Sequence, residues 1–123
     1  MTDPIEAPLE IEVTPSSDGG PTVVEVTGDL VATTVPRLRQ VIEQTLKAPN
    51  QDPNIVLDFS RVAHIDTPGL ALLYRMNERC LAVGGGLTIV AFPKRFSDLI
   101  KELHIDRHFR FADTVAAATR LSR

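Results

Sequence analysis

One cysteine, one tyrosine and no tryptophan stand in a chain of 123 residues. The lone Cys80 excludes a disulfide framework and any zinc site built from several cysteines. Five phenylalanines and that single tyrosine leave little aromatic surface on which bases or sugars could stack. Basic charge is not in excess either. Thirteen Lys and Arg face sixteen Asp and Glu, for a net charge of −3. A phosphate backbone calls for a basic stripe, so nucleic acid is not expected as a direct partner. No apolar run is long enough to cross a bilayer, so no direct membrane insertion is expected. The opening Met1-Thr2-Asp3-Pro4-Ile5-Glu6 is acidic where a signal peptide carries positive charge. A soluble, cytoplasmic chain is the expectation.

What the chain does have is apolar content, 43% of its residues, enough for one domain with a real core. Residues 1–8, with two prolines, two acids and no periodicity, are expected to be a flexible tail, and residues 9–121 a single domain. Leu9-Glu10-Ile11-Glu12-Val13 alternates with the period of a half-exposed strand. A turn cluster over 15–21 leads to the β-branched run Thr22–Thr27, which together make a hairpin. Helical spacing follows, with Thr34 as a candidate cap, Pro36 early, and Leu38, Val41, Ile42 and Leu46 inward. Asn54–Phe59 is a nearly continuous apolar run, the mark of a central strand covered on both faces. A second helix is expected from Gly69 to about Val83, with Leu70, Leu73, Met76 or Asn77, Cys80 and Leu81 inward. Gly84-Gly85-Gly86 ends it, one glycine taking the left-handed position. Leu87–Phe92 reads as another buried strand, Pro93–Leu103 as a third helix, Arg107–Phe111 as a short edge strand and Thr114–Leu121 as a last helix. The order β-β-α-β-α-β-α-(β)-α predicts an α/β fold: a mixed sheet of four to five strands, antiparallel only at its first edge, with about four helices.

Catalytic chemistry finds no footing in these residues. Neither glycine cluster has the spacing of a phosphate loop, and Gly84-Gly85-Gly86 sits after a helix rather than before one. His64, His104 and His108 form no metal-ligand pattern, so no metal and no cofactor are expected. Cys80 falls at a helical core position, where a thiol is inert. Ser60 ends a strand without the glycine-flanked elbow of a serine hydrolase. No nucleophile–base pair emerges, and the chain is expected not to be an enzyme. The remaining feature is the turn Ile65-Asp66-Thr67-Pro68-Gly69-Leu70. Asp66 or Thr67 can cap the helix that starts there, and Pro68 suits its first turn because the missing N–H costs nothing. Capping accounts for these residue types; the functional reading beside it is that Thr67 is a hydroxyl displayed at a positive helix end, where phosphate would meet free N–H groups and the helix dipole.

Val56-Leu57-Asp58-Phe59, Val62 and Ile65-Asp66-Thr67-Pro68-Gly69-Leu70-Ala71-Leu72-Leu73 resemble the signature of STAS domains, found in anti-sigma factor antagonists and sulphate-transporter tails. The likeness extends over about residues 9–121. Val26-Thr27-Gly28-Asp29-Leu30 resembles the family's second strand and its Gly-acid-Leu turn, and Gly85–Val90 its glycine-led fourth strand. Leu99 to Phe111, with His104-Ile105-Asp106, resembles its third helix and following strand. The resemblance implies the STAS-like fold and a non-enzymatic partner switch. In anti-sigma factor antagonists a hydroxyl of this turn is phosphorylated by an anti-sigma factor, a serine/threonine kinase of the histidine-kinase-like ATPase type. The unmodified protein binds that kinase and frees the sigma factor. Carried over by position, Asp66, Thr67, Pro68, Gly69 and Asp29 are expected to bind the partner, with Thr67 the candidate phosphorylation site. Pro68 falls where the usual phosphoacceptor stands, and Val31 replaces an acid. The run Asp66–Leu73 also resembles the turn of the STAS subunit in Mla-type phospholipid ABC transporters. The alternative it implies is an accessory subunit that binds the transporter's ATPase.

Overall fold

Strand and helix periods alternate along this chain, and the computed structural model folds them into one five-stranded sheet with helices on both faces. It describes residues 9–15, 20–48, 53–102, 104 and 109–121. The expected tail over 1–8 lies outside the described residues, as do Leu103, residues 105–108 and most of the hairpin turn. In chain order come β1 (Glu10–Thr14), β2 (Thr22–Leu30), α1 (Val35–Lys47), β3 (Ile55–Ile65), α2 (Thr67–Ala82) and β4 (Leu87–Val90). A 3₁₀ turn (Lys94–Phe96), α3 (Ser97–Glu102), β5 (Arg110–Ala112) and α4 (Val115–Leu121) complete it. The spatial order is β1-β2-β3-β4-β5. β1 pairs antiparallel with β2, and every other pair is parallel. The mixed α/β sheet with an antiparallel edge is the one the element order predicts.

β3 is the middle strand, and its continuous apolar run follows from that position. Successive side chains alternate between the two faces of a strand. Ile55, Leu57 and Phe59 enter the larger core with Leu38, Ile42, Leu72 and Leu73. Val56 points the other way, into a smaller cluster with Val90 and Ala118 of α4. On α1 the buried stripe is Leu38, Ile42 and Thr45, while Val41 and Leu46 pack from the margin.

α2 departs from the expected stripe at two positions. Leu81 is 55% exposed, whereas Leu72 is fully buried. The helix packs on α1 as well as on the sheet, as the Arg79–Glu43 ion pair marks, so burial widens toward the α1 side and leaves Leu81 outside. Asn77 is buried because its Oδ1 accepts from the Leu87 N–H at 3.2 Å, fixing α2 to the start of β4. The helix ends as expected on Gly84, at φ +89°. Gly84 N–H donates to Leu81 O and Gly85 N–H to Cys80 O, the paired bonds of a Schellman motif.

The third helix is a correction: a 3₁₀ turn precedes a six-residue α3. Arg95 of that turn donates to the Ala63 carbonyl, and Phe96 packs edge-on to His64 at 5.7 Å. β4 pairs with β3 only as far as Asp58, and the turn covers part of the β3 edge beyond. The last strand begins at Arg110 and runs one residue past Phe111.

Candidate functional site

The parallel strands β2 and β3 end side by side, with Leu30 opposite Ile65. Both strands lead into helices there, so the β2–α1 and β3–α2 turns share one end of the sheet. Near that end Gly28 takes φ +122° and the pairing register shifts between Gly28 and Leu30. Such a bulge re-aims the strand's last residues. It leaves Asp29 exposed and Leu30 fully buried.

The β2–α1 turn is held by Thr34. Its hydroxyl donates to Asp29 O at 2.6 Å and accepts from Val31 N–H at 2.9 Å. Thr34 stands at the N-cap position of α1 but makes no side-chain capping bond. The expected cap is instead a clamp on the preceding turn, because its hydroxyl meets the bulged strand end first.

Asp66 ties the two turns together. Its backbone N–H donates to Leu30 O at 3.2 Å. One carboxylate oxygen, Oδ1, accepts from Gly69 N–H at 3.0 Å, the N-cap bond of α2. The other, Oδ2, accepts from Ala32 N–H at 3.0 Å across a separation of 34 residues. Of the two candidate caps, Asp66 is the one that caps. α2 therefore begins at Thr67, two residues before the expected start.

Gly69 is required by close approach. A Cβ there would lie 2.5 Å from Leu30 O and 3.0 Å from Ile65 Cγ2. Helix and strand end touch backbone to side, and only a residue without a side chain permits it. This contact holds the first turn of α2 against the sheet while Thr67 and Pro68 face outward, both exposed.

The expectation of several free N–H groups at this helix start needs correcting. Asp66 Oδ1 takes Gly69 N–H, Asp66 O takes Leu70 N–H at 3.0 Å, and Pro68 has none. The dipole remains, but the donors beside Thr67 are largely engaged. A negative group on Thr67 would also sit beside the Asp66 carboxylate.

The five residues expected to bind a partner, Asp29, Asp66, Thr67, Pro68 and Gly69, thus lie at one end of the sheet, in two adjoining turns. Gly69 and Asp66 build the turn; Asp29, Thr67 and Pro68 show their surfaces. Sequence reasoning missed Ala32 and Thr34 as parts of this construction. Thr34 carried a polar signal, but Ala32 contributes only a backbone N–H and carried none.

Elsewhere the reactive side chains are dispersed. Burial pushes the Cys80 thiol up to about 11, which keeps it un-ionised and unreactive at neutral pH. Ser60 is exposed, its N–H donating to Asp58 Oδ1 at 3.0 Å. His108 lies outside the described residues. Among the described residues no three His, Cys, Asp or Glu side chains come together as a metal site, and no helix is long and apolar enough to cross a membrane.

The whole architecture recurs in solved structures. An anti-sigma factor antagonist from Mycobacterium paratuberculosis superposes with a TM-score of 0.78 at 28% identity, over 97% of this chain and 99% of that one. The Bacillus cell fate determinant SpoIIAA, in its phosphorylated form, shares the fold at TM-score 0.68 and 16% identity, over 91% of this chain and 99% of that one. A sulfate transporter family protein from Wolinella succinogenes does so at TM-score 0.70 and 20% identity, over 86% of each chain. The family described as "Mlab, STAS domain" matches residues 13–115. With that match across most of its length, and with the strand order and the Asp66–Gly69 turn in place, the chain belongs to the STAS domain family.

Proposed function

We propose that this protein is a non-enzymatic anti-sigma factor antagonist, cytoplasmic, its single domain spanning residues 9–121. It binds an anti-sigma factor of the kinase-type ATPase class through Asp29, Asp66, Thr67, Pro68 and Gly69, and is controlled by phosphorylation of Thr67. The observation that carries the reading is Thr67 itself, exposed at the first position of α2 in a turn fixed from below by Gly69 and Asp66. The similarity to the mycobacterial antagonist along nearly the full length of both chains supports the same reading. Phosphate would add about −1.5 to −2 charges next to the Asp66 carboxylate. A partner packed on the turn would have to desolvate that charge without a cation built to receive it, which is costly.

The test is capture of the ATPase from native cells, followed by binding of the purified partner to Thr67→Asp and Thr67→Ala. Thr67→Asp is expected to lose binding and Thr67→Ala to keep it. Incubation with the partner and ATP should place phosphate on Thr67 by mass spectrometry. Full-strength binding by Thr67→Asp overturns the switch.

A second reading has its own support. The matching family is described by Mlab, and Pro68 removes the second hydroxyl of the turn. Under it the protein is the STAS subunit of a phospholipid ABC transporter, and Thr67 is a constant contact to the transporter's ATPase. A captured partner with an ABC-type nucleotide-binding domain, and no phosphate on Thr67, would select this reading.

A further inference from the structure

Four of the five phenylalanines, Phe92, Phe96, Phe109 and Phe111, fall in the last third of the chain. Phe111 meets both Phe92 and Phe109 edge to face, at 5.6 and 6.0 Å between ring centres. Phe109 enters the core, whereas Phe92 and Phe111 are only half-buried and line an open cleft of about 750 Å³. The cleft lies beyond the carboxyl ends of the parallel strands β4 and β5, the place where open α/β sheets hold their ligands. Ala91 shapes it. At φ +57° this residue takes the left-handed conformation, which glycine adopts freely and alanine does not. Its N–H donates to Ala112 O at 3.0 Å, which adds one bond to the pairing of the two strands before the chain leaves the sheet. Backbone strain held in this way is commonest at binding and catalytic sites.

Cations share the lining with these rings. Lys94 comes from the 3₁₀ turn and Lys101 from α3, which also contributes the buried Ile100. Both lysines are exposed, and among the described residues neither has an ion-pair partner. Asp113 borders the cleft as well but reaches neither lysine within ion-pair distance. Two cations against one carboxylate leave the cleft positive, on a chain whose net charge is −3.

We propose that this cleft binds a small aromatic carboxylate, its ring against Phe92 and Phe111 and its carboxylate on Lys94 and Lys101. A volume of about 750 Å³ falls within the range of pockets that take small molecules, roughly 300–1,000 Å³. Aromatic rings attract one another in offset and edge-on pairs. A flat, rigid ligand covers them without the ordering cost that a flexible alkyl chain incurs. Ammonium groups without partners supply charge-assisted hydrogen bonds to the carboxylate, and so select an acid over a neutral molecule of the same shape. The cleft shares no residue with the Thr67 turn, so the inference stands apart from the proposed function.

The experiment titrates the full-length ¹⁵N-labelled protein with 2-naphthoate. The neutral 2-naphthalenemethanol, octanoate and inorganic phosphate are run alongside. Amide shifts are expected over residues 91–101 and 110–113, with a dissociation constant of about 1 mM or tighter. The alcohol and octanoate should each bind about fivefold more weakly or worse. Lys94→Gln/Lys101→Gln should lower the affinity for 2-naphthoate about tenfold, and added salt should weaken it too. Phe92→Leu should lower it about threefold. The lysines are exposed, so their replacement keeps the test valid where Phe92→Leu disturbs packing, which circular dichroism reports. Absence of binding at about 10 mM, shifts scattered over the surface, equal binding of the alcohol or of octanoate, the same shifts with phosphate alone, or full affinity in the double lysine variant would each overturn the proposal. None of these readouts depends on Thr67, so failure here and failure of the proposed switch are told apart.

Discussion

The two ends of α2 are both built on glycine, and they do different work. At the C-terminal end Gly84 takes the left-handed conformation, and Gly85 presses on the backbone of Pro53, where a Cβ would lie 2.0 Å from the carbonyl oxygen. At the N-terminal end Gly69 presses on Leu30 O in the same manner. The difference lies in what surrounds each contact. Around Gly85 the neighbours join one strand to the next: Ile55 N–H bonds Gly86 O at 3.0 Å, and Thr22 N–H bonds Asn54 O at 3.1 Å. Around Gly69 the neighbours turn outward, with Thr67 and Pro68 exposed on a carboxylate that fastens two loops. A glycine at close approach is thus no sign of function by itself.

The largest effect should come from the structural end. Gly85→Ala places a methyl group against a backbone oxygen that flanking hydrogen bonds hold in place, and overpacking of that kind costs about 3 kcal/mol. Chemical denaturation should show it as a lower midpoint. Binding measured on the remaining folded protein should be unchanged, because the turn at Thr67 is untouched. Loss of binding in parallel with stability would erase the distinction between the two ends.

Gly69→Ala should come next. In a helix interior alanine gains about 1 kcal/mol over glycine, so the sign depends on the clash with Leu30 O at 2.5 Å. That oxygen already accepts from Asp66 N–H and cannot retreat without losing the bond. The expected net loss is about 1–2 kcal/mol. Unlike Gly85→Ala, this substitution lifts the first turn of α2 and should weaken binding to the proposed ATPase partner at temperatures where the protein is fully folded. A gain in melting temperature would show that α2 shifts freely and that Thr67 is not held by this contact.

Much of this frame was legible in the sequence, and the part that was not has a common cause. The continuous run of β3, the hairpin and the Gly84 cap are local patterns, each set by a residue's neighbours in the chain. Leu81 was misplaced and Leu72 overlooked because burial on α2 depends on α1 lying beside it. Thr34 looked like a cap, since composition cannot reveal that a bulge brings Asp29 O within 2.6 Å of its hydroxyl. The Asp66–Ala32 bond joins residues 34 apart, and its donor is a bare backbone N–H. The Asp66-Thr67-Pro68-Gly69 turn could be found as a motif. Its adjacency to Asp29 follows from the pairing of Leu30 with Ile65, which no local pattern encodes.

Asp66→Ala should be milder. It removes the N-cap bond to Gly69 and the bond to Ala32. Loss of a cap costs about 1 kcal/mol, and the Ala32 N–H lies in an exposed bond where water can replace the carboxylate. Thermal melts should show the loss. Asp66→Asn separates the two bonds, since its amide oxygen can still accept from Gly69 while its NH₂ cannot accept from Ala32. If Asn restores full stability, the loop-to-loop bond contributes nothing, and Asp66 serves α2 alone.

The smallest effect on stability should belong to Thr67, the residue proposed to control binding, and that contrast is the sharpest test of the comparison. Thr67 is exposed, and the contacts that hold the turn are made by its neighbours Gly69 and Asp66. Thr67→Asp introduces a charge that the helix dipole favours by about 0.3–1 kcal/mol. The same charge stands next to the Asp66 carboxylate, which opposes it. The two effects offset, and the melting temperature should stay within the range of ordinary surface substitutions, about 0.5 kcal/mol either way. Raising the salt concentration should narrow even that difference, because both terms are screened. Thr67→Asp should therefore separate stability from binding, as Gly85→Ala does in the opposite direction. A loss of more than about 2 kcal/mol would mean that Thr67 helps to build the turn, and any loss of binding by Thr67→Asp would then report a damaged fold rather than a switched surface.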